Sequence, residues 1–306
     1  MLHTSAETKP SSFPRTGLRS IALAGLLTCG LPLAASAQGL DAQGLAALDA
    51  AIQPLAPKMV EWRRDIHQHP ELSGQEERTA KVVADHLRRL GMEVQTGVGG
   101  TGVVGVLRGG QPGKTVALRA DMDALPVAEK TGLPFASKAK AQYMGKEVSV
   151  MHACGHDAHV AMLMGAAEAL AGMRAKLHGT VKFIFQPAEE GAPAGESGGA
   201  GLMIAEGALD DPKPGAIFGL HVFPYSAGQI RYRAGGAMAS ADALRIIVLG
   251  RQTHGAQPWS GVDPIVVASQ IVMGLQTITS RQVDITAAPA IVTIGAITGG
   301  VRNNII

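Results

Sequence analysis

The sequence predicts an α/β protein, and three observations predict it. Short apolar runs bounded by turn residues recur at 102–107, 115–120, 181–185 and 216–220, the pattern of strands buried in a mainly parallel sheet. Segments with helical spacing precede them and separate two of them. The composition, 46% hydrophobic but only 4% aromatic and rich in Ala, Gly and Val, suits close packing of helices on a sheet.

The elements follow in order. Residues 1–37 read as a signal peptide: Arg15 and Arg19 precede an apolar run from Ile21 to Ala34, and Ala35-Ser36-Ala37 offers small residues for cleavage after Ala37. A lipid anchor on Cys29 is the weaker reading, because Thr28 is a poor residue before a lipidated cysteine. Cleavage implies a periplasmic or secreted protein with no remaining membrane span. It removes Lys9, Arg15, Arg19 and Glu7, so the net charge of +2 falls to about zero. No basic run remains that would mark a nucleic-acid footprint. The mature chain keeps one thiol, Cys154, which cannot form an internal disulfide.

Residues 42–69 carry Leu45, Leu48, Ile52, Val60 and Ile66 at helical spacing. A second helix is expected after Ser73, as N-cap with Glu76 in capping-box position, ending at Gly91. An Ala- and Met-rich helix spans 158–173. The catalytic domain is read as 42–233. Beyond Ala234-Gly235-Gly236 an alternating strand (243–249), a helix (264–280) and a further strand (291–297) suggest the start of a smaller α+β domain, 234–306. The final Asn304-Ile305-Ile306 reads as the interior of an element, so a partial chain is expected.

Chemistry concentrates at the ends of the apolar runs. Cys154 and His156, two apart around Gly155, are first-choice ligands for zinc-like metals. Glu189-Glu190 and His221 follow two of the strands, where α/β sheets assemble their sites. Adjacent carboxylates can divide the work, one binding metal and the other moving a proton. Asp121 and Asp123 end a further strand, where an acidic pair could coordinate metal or orient a ligand histidine.

The strings Arg119–Pro126 (RADMDALP), Met151–His159 (MHACGHDAH), Phe185–Gly191 (FQPAEEG) and Gly219–Val222 (GLHV) together resemble the M20 metallopeptidase family. The nearest likeness is to its branch of hippurate hydrolases, aminoacylases and auxin-conjugate hydrolases. The resemblance runs from about Val60 to the last residue. It implies a zinc-peptidase-like catalytic domain with an inserted, ferredoxin-like lid, here incomplete. It implies two divalent metal ions (Zn, Mn, Co or Ni) held by Cys154, His156, Glu190 and His221, with Glu189 as general base and Asp123 as a supporting carboxylate. His254 and Asn304 would hold substrate from the lid, and the lid would join a homodimer. The implied substrate is a small N-acyl amino acid; a dipeptidase or carboxypeptidase on the same scaffold, or a non-catalytic metal- or ligand-binding protein, are the alternatives. The family's lid motif Gly-Gly-His-Ala reads Gln252-Thr253-His254-Gly255-Ala256 here. The family's last metal histidine lies in a C-terminal stretch that none of these residues supplies, so the fragment alone is expected to bind one metal poorly and to be inactive.

Other residues are set aside. His67 and His69 read as a helix-end cluster outside the site, and His152 and His159 as support or packing. Met162, Met164 and Met173 read as core, and Trp259 as an ordinary packed or exposed aromatic. Gly195-Glu196-Ser197-Gly198-Gly199 spells a nucleophile elbow but lies in a loop well past its strand.

Overall fold

The computed structural model describes residues 42–192, 197–236, 238, 242–287 and 290–306. The signal-peptide reading and Gly195-Glu196 of the Gly195–Gly199 string lie outside them. The described residues up to Phe223 form one compact unit and Pro224–Ile306 another, so the division falls ahead of Ala234.

The first unit is built on a five-stranded mixed sheet in the order β1-β2-β6-β3-β7. β1 (Glu93–Val98) and β2 (Gly102–Arg108) pair antiparallel, as do β2 and β6 (His178–Gln186). β3 (Gln111–Asp121) runs parallel to both β6 and β7 (Ile217–Gly219). A hairpin of β4 (Lys140–Tyr143) and β5 (Lys146–Ser149) stands apart.

Alternation along β6 explains the two layers. Val181, Phe183 and Phe185 face one core with Ile66, Val83, Leu87, Val160 and Met164. Ile184 faces the other core with Val98, Val104, Ala117 and Met203. Each such buried side chain contributes roughly 1.5–3 kcal/mol. Lys182, 1% exposed, is a charge in mid-strand; its Nζ donates to Ala208 O at 3.0 Å.

The helices on the first core are α2 (Ala56–Gln68), α3 (Glu77–Arg89) and α4 (His156–Gly172), with α1 (Ala42–Ile52) against α4. A short α5 (Gly199–Ala205) brings Met203 to the second. Ser73 is not the cap of α3: its hydroxyl donates to Asp123 Oδ2 at 2.7 Å. The first-turn N–H groups of Arg78 and Thr79 instead donate to the Glu71 carboxylate, both at 2.8 Å. A carboxylate satisfies them better than a hydroxyl, because it also matches the positive end of the helix.

In the second unit α6 (Pro264–Thr277) starts as its sequence dictates. Pro264 occupies the first turn, and the Asp263 side chain accepts from Ile265 N and Val266 N. The strands expected at 243–249 and 291–297 do not form. No ladder involves them among the described residues, and Leu244, Leu249 and Ile291 are exposed. Alternation defines a face but supplies no partner, and a strand without a ladder leaves its backbone to water. Among the described residues no helix is long and apolar enough to cross a membrane.

Candidate metal centre

Parallel pairing of β3 with β6 and β7 delivers three carboxyl strand ends to one edge of the sheet. Asp121-Met122-Asp123 follows β3, Glu189-Glu190 follows β6, and His221 follows β7. The N-terminus of α4 arrives at the same edge with His156 in its first turn and Gly155 as N-cap. Gly155 has φ +93°, and a Cβ there would lie 2.3 Å from Val222 Cγ2. Only glycine lets α4 begin this close to the end of β7.

The two histidines of the cluster are oriented alike. The Nδ1–H of His156 donates to Asp123 O at 2.8 Å, and that of His221 to Val222 O at 2.7 Å. Each main-chain carbonyl fixes the tautomer and turns Nε2 toward the cluster. His221 Nε2 lies 3.5 Å from Cys154 Sγ. His156 Nε2 is buried with no hydrogen-bond partner, 3.7 Å from Glu189 Oε2 and 3.8 Å from Glu190 Oε1. An orphaned imidazole nitrogen among carboxylates and a thiol fits a divalent cation, and Cys154, His156 and Glu190 converge closely enough to hold one.

Asp121 and His159 approach the same place, a pairing thirty-eight residues apart that the sequence did not reveal. His159 nevertheless has no nitrogen to spare: Nδ1–H donates to Asp121 Oδ1, and Nε2 accepts from Val222 N at 2.9 Å. Asp121 Oδ2 in turn accepts from Arg119 Nη1 at 2.7 Å. We therefore read this pair as the brace of the His221 segment and not as ligands. The spacing of Asp121 and Asp123 in RADMDALP was one signal, and the place of His159 beside the ligand motif, read as support or packing, was the other.

Asp123 accepts twice on Oδ2, from Ser73 Oγ and from Glu190 N at 2.9 Å, and Oδ1 lies 3.3 Å from His156 Nδ1. It thus ties the Glu189-Glu190 turn to the helix bearing His156. Ala188, just before that turn, adopts φ +48°, a left-handed conformation that costs a non-glycine residue roughly 1–2 kcal/mol.

Electrostatics follow from crowding of acids. Burial, and then the Asp121 charge, push Glu189 above its usual value. Burial and the Glu190, Glu189 and Asp121 carboxylates push the Cys154 thiol up to about 12. Burial opposes ionisation of Asp121, yet His159, His156 and Arg119 hold its carboxyl well below the usual range. A bound cation would reverse the pressure on the thiol.

His67 lies outside the cluster but is not an exposed helix end. Its ring joins Asp157 Oδ2 (2.8 Å) to Glu129 Oε1 (3.2 Å). His152 is buried with neither ring nitrogen partnered, and burial pushes its pKa down to about 4. In the second unit His254 and Asn304 are neighbours. Gly255 N donates to Asn304 O at 2.9 Å, His254 bridges to Ile305, and Ala256 N donates to His254 Nδ1 at 3.0 Å.

Comparison with known proteins agrees with this geometry. The family model "Peptidase family M20/M25/M40" matches residues 117–301. Thermostable carboxypeptidase 1 of Saccharolobus solfataricus is 47% identical over 250 residues, 81% of this chain and 60% of that protein. Hippurate hydrolase of Campylobacter jejuni is 44% identical over 245 residues, 80% of this chain and 60% of that one. The crystal structure of Bacillus subtilis YXEP protein, described as a dinuclear metal binding peptidase from the M20 family, superposes with a TM-score of 0.55 at 39% identity. That superposition covers 74% of this chain and 57% of the other. The chain spans about three-fifths of the length of these curated relatives. On the family match and these identities, the chain belongs to peptidase family M20/M25/M40.

Proposed function

We propose that the whole protein is a metal-dependent amidohydrolase that cleaves the amide bond of N-acyl amino acids. One observation carries the reading: His156 and His221 both spend Nδ1–H on a main-chain carbonyl and turn Nε2 toward Cys154, Glu189 and Glu190. The identity to hippurate hydrolase supports the acyl amino acid as substrate class.

Cys154, His156, Glu190 and His221 would hold two divalent cations, whose chemistry when bound is to acidify water and polarise a carbonyl. Glu189, adjacent to Glu190 and only partly exposed, takes the water proton and returns it to the leaving amine. Asp123 keeps His156 and the Glu190 backbone in place. His254 and Asn304 would hold the substrate carboxylate and the developing oxyanion, and the second unit would also form the homodimer contact; the pairing of Gly255 with Asn304 and of His254 with Ile305, which sets the two residues side by side, supports a shared role.

The test uses the full-length protein: hippurate hydrolysis with and without chelator, in wild type and Glu189→Gln. We expect chelator-sensitive turnover and a loss of about 10²–10⁴-fold in kcat for the variant. Near-normal turnover by Glu189→Gln would remove it as the base. Carboxypeptidase activity is the second reading, favoured by the 47% identity to a carboxypeptidase; faster cleavage of an N-blocked dipeptide than of hippurate would select it. Export rests on the charged, apolar and small-residue succession of residues 15–37. N-terminal sequencing of the processed protein should begin at Gln38, and an intact Met1 would refute it.

A further inference from the structure

We propose that Glu76 is a positioning residue for Glu189, acting through the backbone of Ala188. The inference rests on the reading of Glu189 as general base.

Glu76 is completely buried and stands at the N-cap position of α3. A buried carboxylate ordinarily has a cation beside it. Among the described residues none is hydrogen-bonded to Glu76, whose oxygens accept from neutral donors. Oε1 accepts from Gly74 N at 3.0 Å and from Ala188 N at 2.9 Å, and Oε2 accepts from the Thr101 hydroxyl. The bond to Ala188 joins residues 112 apart in sequence, the α3 start to the end of β6.

Ala188 is where the chain turns out of β6, and it does so with φ +48°. Without a restraint an alanine would relax from that region, and the carboxylate on the next residue would swing with it. Two buried acids supply the restraint, one on each side of Glu189. Glu76 grips the N–H of Ala188, and Asp123 grips the N–H of Glu190. Glycines close the far side. A Cβ at Gly199 would lie 2.9 Å from Ala188 O, and one at Gly198 would lie 3.1 Å from Ala188 Cβ. The result aims Glu189 Oε2 to within 3.7 Å of His156 Nε2. Asp123 touches the cluster directly; Glu76 does not, and its effect passes through one peptide bond.

Shape and charge can be separated. Glu76→Gln keeps an oxygen for Gly74 and Ala188 and offers an amide to the Thr101 oxygen; burial already raises the Glu76 pKa, so a neutral group suits this pocket. Glu76→Asp keeps the charge and shortens the arm. In the full-length protein we expect Glu76→Gln within about threefold of wild type. Glu76→Asp should lose about 10–100-fold in kcat, with KM within about threefold and metal content unchanged. The crystal structure of Glu76→Asp should show Ala188 out of the positive-φ region and Glu189 displaced.

Equal loss in both variants, wild-type turnover by Glu76→Asp, or metal content falling in step with kcat would overturn the proposal. The Ala188 conformation separates this failure from failure of the base assignment. If Glu189→Gln stays active, the base reading falls, while an unmoved Ala188 in Glu76→Asp is what sinks the positioning claim.

Discussion

At the scale of single residues, the centre depends on small groups as much as on its ligands. Gly155 permits the close approach of α4 to Val222, and any Cβ would meet Val222 Cγ2 at 2.3 Å in a backbone conformation that side chains avoid. Gly155→Ala should therefore lower stability by about 1–3 kcal/mol, read by thermal denaturation, and weaken metal uptake with it. A substitution with unchanged melting would mean that Val222 yields freely. Cys154, His156, Glu189, Glu190 and His221 were legible because each follows a recognisable apolar run or sits in a short ligand motif. His159 was read only as support or packing and Glu76 only as a capping-box residue, because their partners, Asp121 and Ala188, are 38 and 112 residues away and no local pattern encodes such a contact.

At the scale of elements, apolar strands announced themselves and polar ones did not. β2, β3, β6 and the edge strand β7 coincide with apolar runs, whereas β1 is mostly exposed and polar and the β4–β5 hairpin carries lysines and a glutamate. The expected strands at 243–249 and 291–297 show the converse error, a pattern without a ladder partner. Helix pairing has a titratable component. His67 on α2 bridges Asp157 at the start of α4 and Glu129 in the preceding loop. The Asp157 hydrogen bond raises its pKa against the opposing effect of burial. A raised pKa in the folded state stabilises fully below the unfolded value near 6.5, and the contribution is lost as pH rises through the folded value. The stability difference between wild type and His67→Gln in urea should thus be larger near pH 6 than near pH 9. A difference that grows with pH would show the ring is held neutral.

At the scale of the whole molecule, the parallel half of the sheet brings its carboxyl strand ends to the cluster. β3, β6 and β7 end together, while β1 and β2 run antiparallel beyond them and bring no ligand. Loading the cluster should change the protonation of the chain. With its pKa pushed up to about 12, Cys154 is a thiol at neutral pH, and a metal takes it as thiolate. Calorimetric titration with Zn²⁺ in two buffers of different ionisation enthalpy should report about one proton released per chain. Identical heats in both buffers would exclude Cys154 from the ligand set. The same arrangement leaves β7 at the rim of the described sheet, three residues long, with Ile217 51%, Phe218 60% and Leu220 59% exposed. An apolar rim with open backbone valences behaves as a template for any extended segment that meets it. A strand paired to this rim would cover the exposed side chains of Ile217 and Phe218 and satisfy the open backbone groups of β7.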